Sequence, residues 1–255
     1  MTLSQTISDI IVMSKRNLLR YRRLPQLIVF SSIQPVMFVL LFVYVFGGAI
    51  NTPGVSYVNY LIPGIIVQTV LFGAMLTGVG LADDLSKGMI DRFRSLPMAR
   101  SAVLAGRTIT ESIRNVFVVI LITLVGLAIG FRIDHGILNF AMAMGLTILF
   151  GFAFSWISAT IGLAVKNVEI AQTAGFIWVF PLAFASSIFV PVQSLSNKYV
   201  HAFAVHNPVS YTVNVVRALS LGMPVGHDLW WALAWIFGII IVFVPLAVYR
   251  YRKIT

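Results

Sequence analysis

Asp83-Asp84-Leu-Ser-Lys87-Gly88-Met-Ile-Asp91-Arg92-Phe-Arg94-Ser-Leu-Pro97-Met-Ala-Arg100-Ser-Ala-Val-Leu-Ala-Gly-Arg107 sets eight charged side chains into twenty-five residues. On one side the run Leu61–Ala82 has no ionisable group. On the other, Thr110–Gly130 has only Glu111 and Arg114, both in its first turns. Each flank is long enough to cross a hydrocarbon core, which takes about 20 apolar residues. The stretch therefore reads as a polar hairpin between two membrane spans, with Glu111 and Arg114 expected at the interface.

The same reading extends along the chain. Of 255 residues 59% are hydrophobic and 10% charged, with a mean hydropathy of +0.94. Soluble domains carry about 25% charged residues, so lipid must solvate much of this surface. Six helical spans are expected near Leu27–Ala49, Leu61–Ala82, Thr110–Gly130, Leu138–Val165, Ile170–Val190 and Leu229–Tyr249. The fold class is all-α: one polytopic membrane domain over residues 1–255. Its extramembranous parts are residues 1–24, 83–109 and 191–229. The polar, basic stretch before the first span, followed by a run long enough to cross, argues against a cleavable signal.

Lysine and arginine orient the spans. Fifteen of the 18 lie in the N-terminal tail, the polar hairpin and start of span three, the loop at Lys166, or the C-terminal tail; Arg132, Lys198 and Arg217 fall on the other side. The positive-inside rule then puts both termini and the hairpin in the cytoplasm of a cell (inner or plasma) membrane protein. The net charge of +10 suits anionic lipid, and its placement beside the spans argues against nucleic acid. Within residues 1–24, Thr2-x-x-Gln5 resembles a capping box. Leu3, Ile7, Ile11 and Leu18 recur at helical spacing among basic residues, and Pro25 ends the pattern. This reads as an amphipathic helix on the inner membrane face.

Chemistry is sparse. None of the eight acids falls in the middle of a span, and all four histidines lie in outward loops. The central polar groups are amides and hydroxyls such as Gln34, Gln68, Ser155 and Thr160. Ion-driven carriers commonly need ionisable or densely polar sites near the midplane, which disfavours that class. No G-x-x-x-x-G-K-[ST] phosphate loop is present, so uphill work needs energy from another polypeptide. His201 and His206 are poorly spaced for one metal, no G-x-S-x-G elbow occurs, and cysteine is absent. Neither a metal nor a catalytic residue is expected. A short helix over about Leu85–Ser95 is expected within the hairpin, with Leu85, Met89 and Phe93 along one face. Leu96-Pro97 would break it, and a second helix would restart near Ser101. Such an amphipathic unit suits docking into a partner's groove.

In these residues the chain resembles the type-2 ABC exporter permeases, in particular the daunorubicin/doxorubicin-resistance group. Beyond the hairpin the resemblance is carried by Arg114, Gly126 with Gly130-Phe131-Arg132, and Pro181-Leu-Ala-Phe184-Ala-Ser-Ser-Ile-Phe189-Val-Pro191. Asn207-Pro208-Val and Arg217-Ala-Leu continue it. The segment Ser194-Leu-Ser-Asn-Lys-Tyr199 departs from the family's Met-Pro-x-Trp-like pattern. The resemblance implies a six-span half-transporter that pairs with a second copy or a paralogue and binds two separately encoded ATPase subunits. ATP and magnesium belong to those subunits, with no cofactor in this chain. It further implies that the N-terminal helix and the hairpin form the ATPase contact, with coupling roles for Asp83, Asp84, Gly88, Asp91, Arg92, Arg94, Pro97 and Arg100, and for Glu169 in the next cytoplasmic loop. It implies short outer helices, re-entering the membrane, between spans five and six.

Gln34-Pro35 in span one, Gln68 in span two, and Phe176, Phe180 and Phe184 in span five make a largely apolar wall with few hydrogen-bonding groups. Such a wall suits hydrophobic or amphiphilic cargo: a drug, an antibiotic or a lipid-like compound. An ion-coupled carrier and a membrane scaffold are the competing functional classes.

Overall fold

The computed structural model describes residues 3–24, 26–50, 52, 54–89, 100–165 and 167–253, and among them it is helical with no strand. The helices are α1 (Leu3–Arg23), α2 (Gln26–Leu41, continued by a π-helical turn over Phe42–Phe46), α3 (Tyr57–Ser86) and α4 (Arg100–Ala128). After these come α5 (Ile137–Val165), α6 (Val168–Phe184), α7 (Lys198–His206), α8 (Pro208–Leu221) and α9 (Asp228–Lys253). A backbone in hydrocarbon must satisfy its hydrogen bonds internally, which is why apolar runs of this length become helices. Among the described residues, five helices are long and apolar enough to cross a membrane. The sixth apolar stretch, expected at 170–190, is covered by the 17 residues of α6, which stop at Phe184.

α3 is the hub. It packs on α4, α5, α6 and α8, and 83% of its most apolar window is buried. Leu61, Ile62, Ile65, Ile66 and Leu71 are fully enclosed. A helix that is apolar all round must be surrounded by protein or lipid, and α3 is surrounded by protein. Phe30, Met37 and Tyr44 of α2 are largely exposed. α3 and α5 meet where Gly78 faces Gly162. A Cβ on Gly162 would strike the Gly78 carbonyl, and one on Gly78 would strike the Ser158 carbonyl. Small residues of this kind let two membrane helices approach backbone to backbone.

The break after Phe184 has a physical cause. Side chains from elsewhere satisfy the carbonyls that continued helix would have used. Asn207 Nδ2 donates to Leu182 O (2.9 Å) and Ala185 O (2.8 Å). Arg217 donates from Nη2 to Ser187 O (2.9 Å) and from Nε to Tyr60 O (3.1 Å), with its guanidinium 3.6 Å above the Tyr60 ring. Tyr60 and Tyr57 hydroxyls donate to Ser187 O and Phe189 O. Residues 186–189 are thus buried irregular backbone with the carbonyls of Ser187 and Phe189 engaged, the condition under which such backbone is tolerated away from water. α8 begins at Pro208, with Asn207 as its N-cap, and ends at Gly222 in the left-handed region (φ +75°).

At the basic end, Asp84, Leu85 and Ser86 are the last turn of α3, which stops where Gly88 takes φ +64°. The expected helix over Leu85–Ser95 therefore does not start at Leu85; most of its length, with Asp91, Arg92, Arg94 and Pro97, lies outside the described residues, as does Thr2 of the expected capping box. Helix resumes at Arg100 and runs unbroken to Ala128. α1 lies along α4 through Met13, Ser14 and Asn17, all buried, while Ile7 and Ile11 of the expected stripe are 51% and 61% exposed.

Candidate functional site

The basic end holds a node of buried charge built from α1, the end of α3 and the start of α4. Arg107, Glu111 and Arg114 share one face of α4 at i, i+4 and i+7 spacing. Glu111 Oε2 accepts from Arg114 Nε at 2.8 Å, and Arg107 Nε lies 3.8 Å from Oε1. Tyr21 of α1 donates its hydroxyl to Glu111 Oε1 at 2.7 Å. Asp84 takes Arg107 Nη1 at 3.4 Å and Arg16 Nη2 of α1 at 3.9 Å. Glu111 is 1% exposed, Asp84 and Arg114 6%. Glu111 and Arg114 thus sit inside the protein rather than at the interface, because each cation has a carboxylate within reach and α3 leaves room for both. Gly73 and Gly80, two turns apart, carry no side chain where Asn115 with Arg114, and then Arg107, lie against α3.

Burial pushes the Tyr21 hydroxyl well above the ordinary tyrosine range, and the Glu111 carboxylate adds to the shift. The protonated form is the docked one. Its contribution is full below the ordinary value of 10 and is lost as pH rises through the raised value. Tyr21→Phe removes a hydrogen bond to a charged acceptor, worth about 1.5–3 kcal/mol. Tryptic cleavage within α1 near pH ~8 should accelerate roughly tenfold or more in the variant. Unchanged cleavage of Tyr21→Phe would show that α1 is held otherwise.

Two cavities adjoin the node. One of about 310 Å³ is lined by Tyr21, Asp83, Arg107, Glu111 and Arg114. The other, about 240 Å³, lies between α2, α3 and α6, with Gln34, Gln68, Phe72, Gln172 and Phe176 in its wall. Leu76 and Arg114 line both. From the second cavity an aromatic ladder climbs toward the opposite end. Phe176, Phe180, Phe184 and Phe189 follow at 5.3 Å centroid spacing, then Phe42 at 4.3 Å and Phe46 at 5.2 Å.

Of the residues singled out in the sequence, Asp84 is in the node. Asp83 pairs beside it with Lys87 at 2.6 Å, and Gly88 forms the turn. Arg100 opens α4, but its side chain is outside the described set. Glu169 is exposed in the first turn of α6, apart from the node. Gln34, Gln68 and Phe176 meet at one cavity, while Phe180 and Phe184 continue the ladder. Tyr21, Arg16, Glu111, Arg114 and Gln172 were not anticipated as site residues. The i, i+4, i+7 spacing of Arg107, Glu111 and Arg114 is the signal by which Glu111 and Arg114 could have been found. No cluster able to hold a metal occurs among the described residues.

The ABC-2 type transporter family profile matches residues 8–221, which contain the node, both cavities and the ladder up to Phe189. The chain belongs to that family. Among curated proteins, this ABC-2 chain is similar to the daunorubicin resistance ABC transporter permease protein DrrB1 of Streptomyces coeruleorubidus. The two are 33% identical over 238 residues, 93% of this chain and 84% of the relative. It is also similar to the probable doxorubicin resistance ABC transporter permease protein DrrC of Mycobacterium tuberculosis, 24% identical over 249 residues, 97% of this chain and 89% of that one. The doxorubicin resistance permease DrrB of the same organism is 27% identical over 175 residues, 68% and 60% of the two chains. This ABC-2 chain is similar throughout to the transmembrane subunits of ABC transporters, and the relatives named here are permeases rather than ATPases. The ABC-2 family implies an ATPase partner for it.

Proposed function

We propose that this permease moves hydrophobic or amphiphilic compounds (drug, antibiotic or lipid-like) outward across the membrane, driven by two ATPase subunits bound at the basic end. One observation carries the reading. Arg114 belongs both to the charged node that binds α1, α3 and α4 together and to the wall of the amide- and aromatic-lined cavity. A push on α1 or on the hairpin would therefore reach the cavity wall through ion pairs rather than through loose loop. The coupling surface is residues 83–109 with α1, including Asp91, Arg92, Arg94, Pro97 and Arg100, and Glu169 beside it. ATP and magnesium stay with the partner. Gln34, Gln68, Phe176, Phe180 and Phe184 line the cargo path.

The spans number six, with α6 and the buried segment after it forming the fifth. Both termini face the cytoplasm of the cell membrane, where positive charge concentrates. Buried α8 with α7 forms an outer pair dipping back toward the core. The exposed apolar face of α2 supports pairing with a second copy or a paralogue.

The test is co-reconstitution with the ATPase in vesicles. ATP-dependent efflux of an anthracycline is expected, and substitutions at Asp91 and Arg92 should lower transport-coupled ATP hydrolysis while the permease still inserts. Flux that persists without ATP and collapses with a protonophore would identify an ion-coupled carrier. No flux for any amphiphile, with the ATPase bound, would identify a scaffold.

A further inference from the structure

α1 and α4 enclose a groove of about 530 Å³ whose wall is almost wholly apolar: Ile10, Ile11, Leu18 and Leu19 of α1 and Ile109 of α4. Two cations, Lys15 and Arg22, border it. They stand seven residues apart, on one face of α1 at i and i+7. Both are exposed. Among the described residues neither meets a carboxylate, whereas the nearby acids Asp83, Asp84 and Glu111 are already paired with Lys87, Arg107 and Arg114. No acid lines the groove. Its floor is closed by Ser14, whose hydroxyl donates to Gly106 O at 3.3 Å, so the trough is part of the α1–α4 packing.

An apolar trough flanked by two uncompensated cations is complementary to one kind of molecule abundant at a membrane's inner face. That molecule has a hydrocarbon chain and a phosphate within a few ångströms of it. We infer that this groove is a binding site for an anionic glycerophospholipid of the cytoplasmic leaflet, its acyl chain between α1 and α4 and its phosphate between Lys15 and Arg22. The site does not overlap the cargo cavity. It requires only that α1 lies at the inner membrane surface. Because α1 is tied to Asp84 and Glu111 through Arg16 and Tyr21, the lipid would steady the same helix that the node holds.

Native mass spectrometry of the purified full-length permease, titrated with phosphatidylglycerol or with phosphatidylcholine of identical chains, tests this without any transport readout. Retention of phosphatidylglycerol should exceed that of phosphatidylcholine by at least about tenfold, as expected for two cations meeting one phosphate. The double variant Lys15→Gln with Arg22→Gln should erase that preference. Arg250→Gln with Arg252→Gln, an equal loss of exposed charge outside the groove, should keep it. Ile11→Asn with Leu19→Asn should weaken retention of both lipids. The inference is overturned if the preference survives Lys15→Gln with Arg22→Gln, or falls equally in the Arg250/Arg252 variant. It is overturned too if the Lys15/Arg22 variant keeps its lipid but no longer binds the ATPase, which would give the groove to the protein partner.

Discussion

Replacing Gly162 with valine is expected to leave almost no folded permease. The new Cβ would occupy the position of the Gly78 carbonyl, and that carbonyl belongs to α3, the helix on which α4, α5, α6 and α8 all rest. Overpacking a core typically costs 1–3 kcal/mol when side chains can move aside. Here the obstacle is backbone on both sides, so the expected loss exceeds about 4 kcal/mol. Gly145→Val is the matched control. It lies on the same helix and a Cβ there meets nothing within 4 Å, so it pays only the difference in helix propensity. Size-exclusion profiles and thermal unfolding in detergent should separate the two variants clearly. A Gly162→Val protein with wild-type profile and melting would refute the close α3–α5 crossing.

Glu111→Gln should produce the second largest effect. The substitution keeps shape and acceptor but removes the charge, stranding Arg114 and weakening the field around Arg107. Leaving a buried cation without its carboxylate costs about 3–5 kcal/mol, a drop in melting temperature on the order of 10 °C for a chain of this size. Adding Arg114→Gln should recover part of the loss, because the stranded charge is then gone and the two sites are in contact. An additive double variant would mean that the ion pair contributes little. ATP hydrolysis by the bound partner should lose its stimulation by cargo in Glu111→Gln, since the node no longer clamps α1 to α4.

Most of the helices were legible because hydrocarbon leaves the backbone few choices; a long apolar run must become helix, and its length reports its crossing. Depth was harder to read. Glu111 and Arg114 look interfacial when only their own helix is considered. What gives Arg114 room inside is Gly73 on α3, far away in sequence, and Gly80 does the same for its neighbour Arg107. The pattern in α1 identified Ile7 and Ile11, which mark the face turned away from the protein. The face that packs is made of Met13, Ser14 and Asn17, whose small or flexible side chains carry little hydrophobic signal. The end of α6 was missed for a related reason: residues 185–190 are apolar enough for helix, and the side chains that interrupt it come from Asn207 and Arg217. Gln34, Gln68 and Phe176 emerged as a group at one cavity because amides and phenylalanines are conspicuous in otherwise aliphatic spans.

Those remote donors also impose an order on synthesis. The carbonyl of Ala185 waits for an amide made 22 residues later, and that of Ser187 for a guanidinium 30 residues later. A ribosome that has just released residue 190 therefore has a nascent chain in which the turn over residues 186–189 cannot yet settle, however completely the preceding helices have formed. Closure of that turn must be among the last steps of biogenesis, after residue 217 has been made.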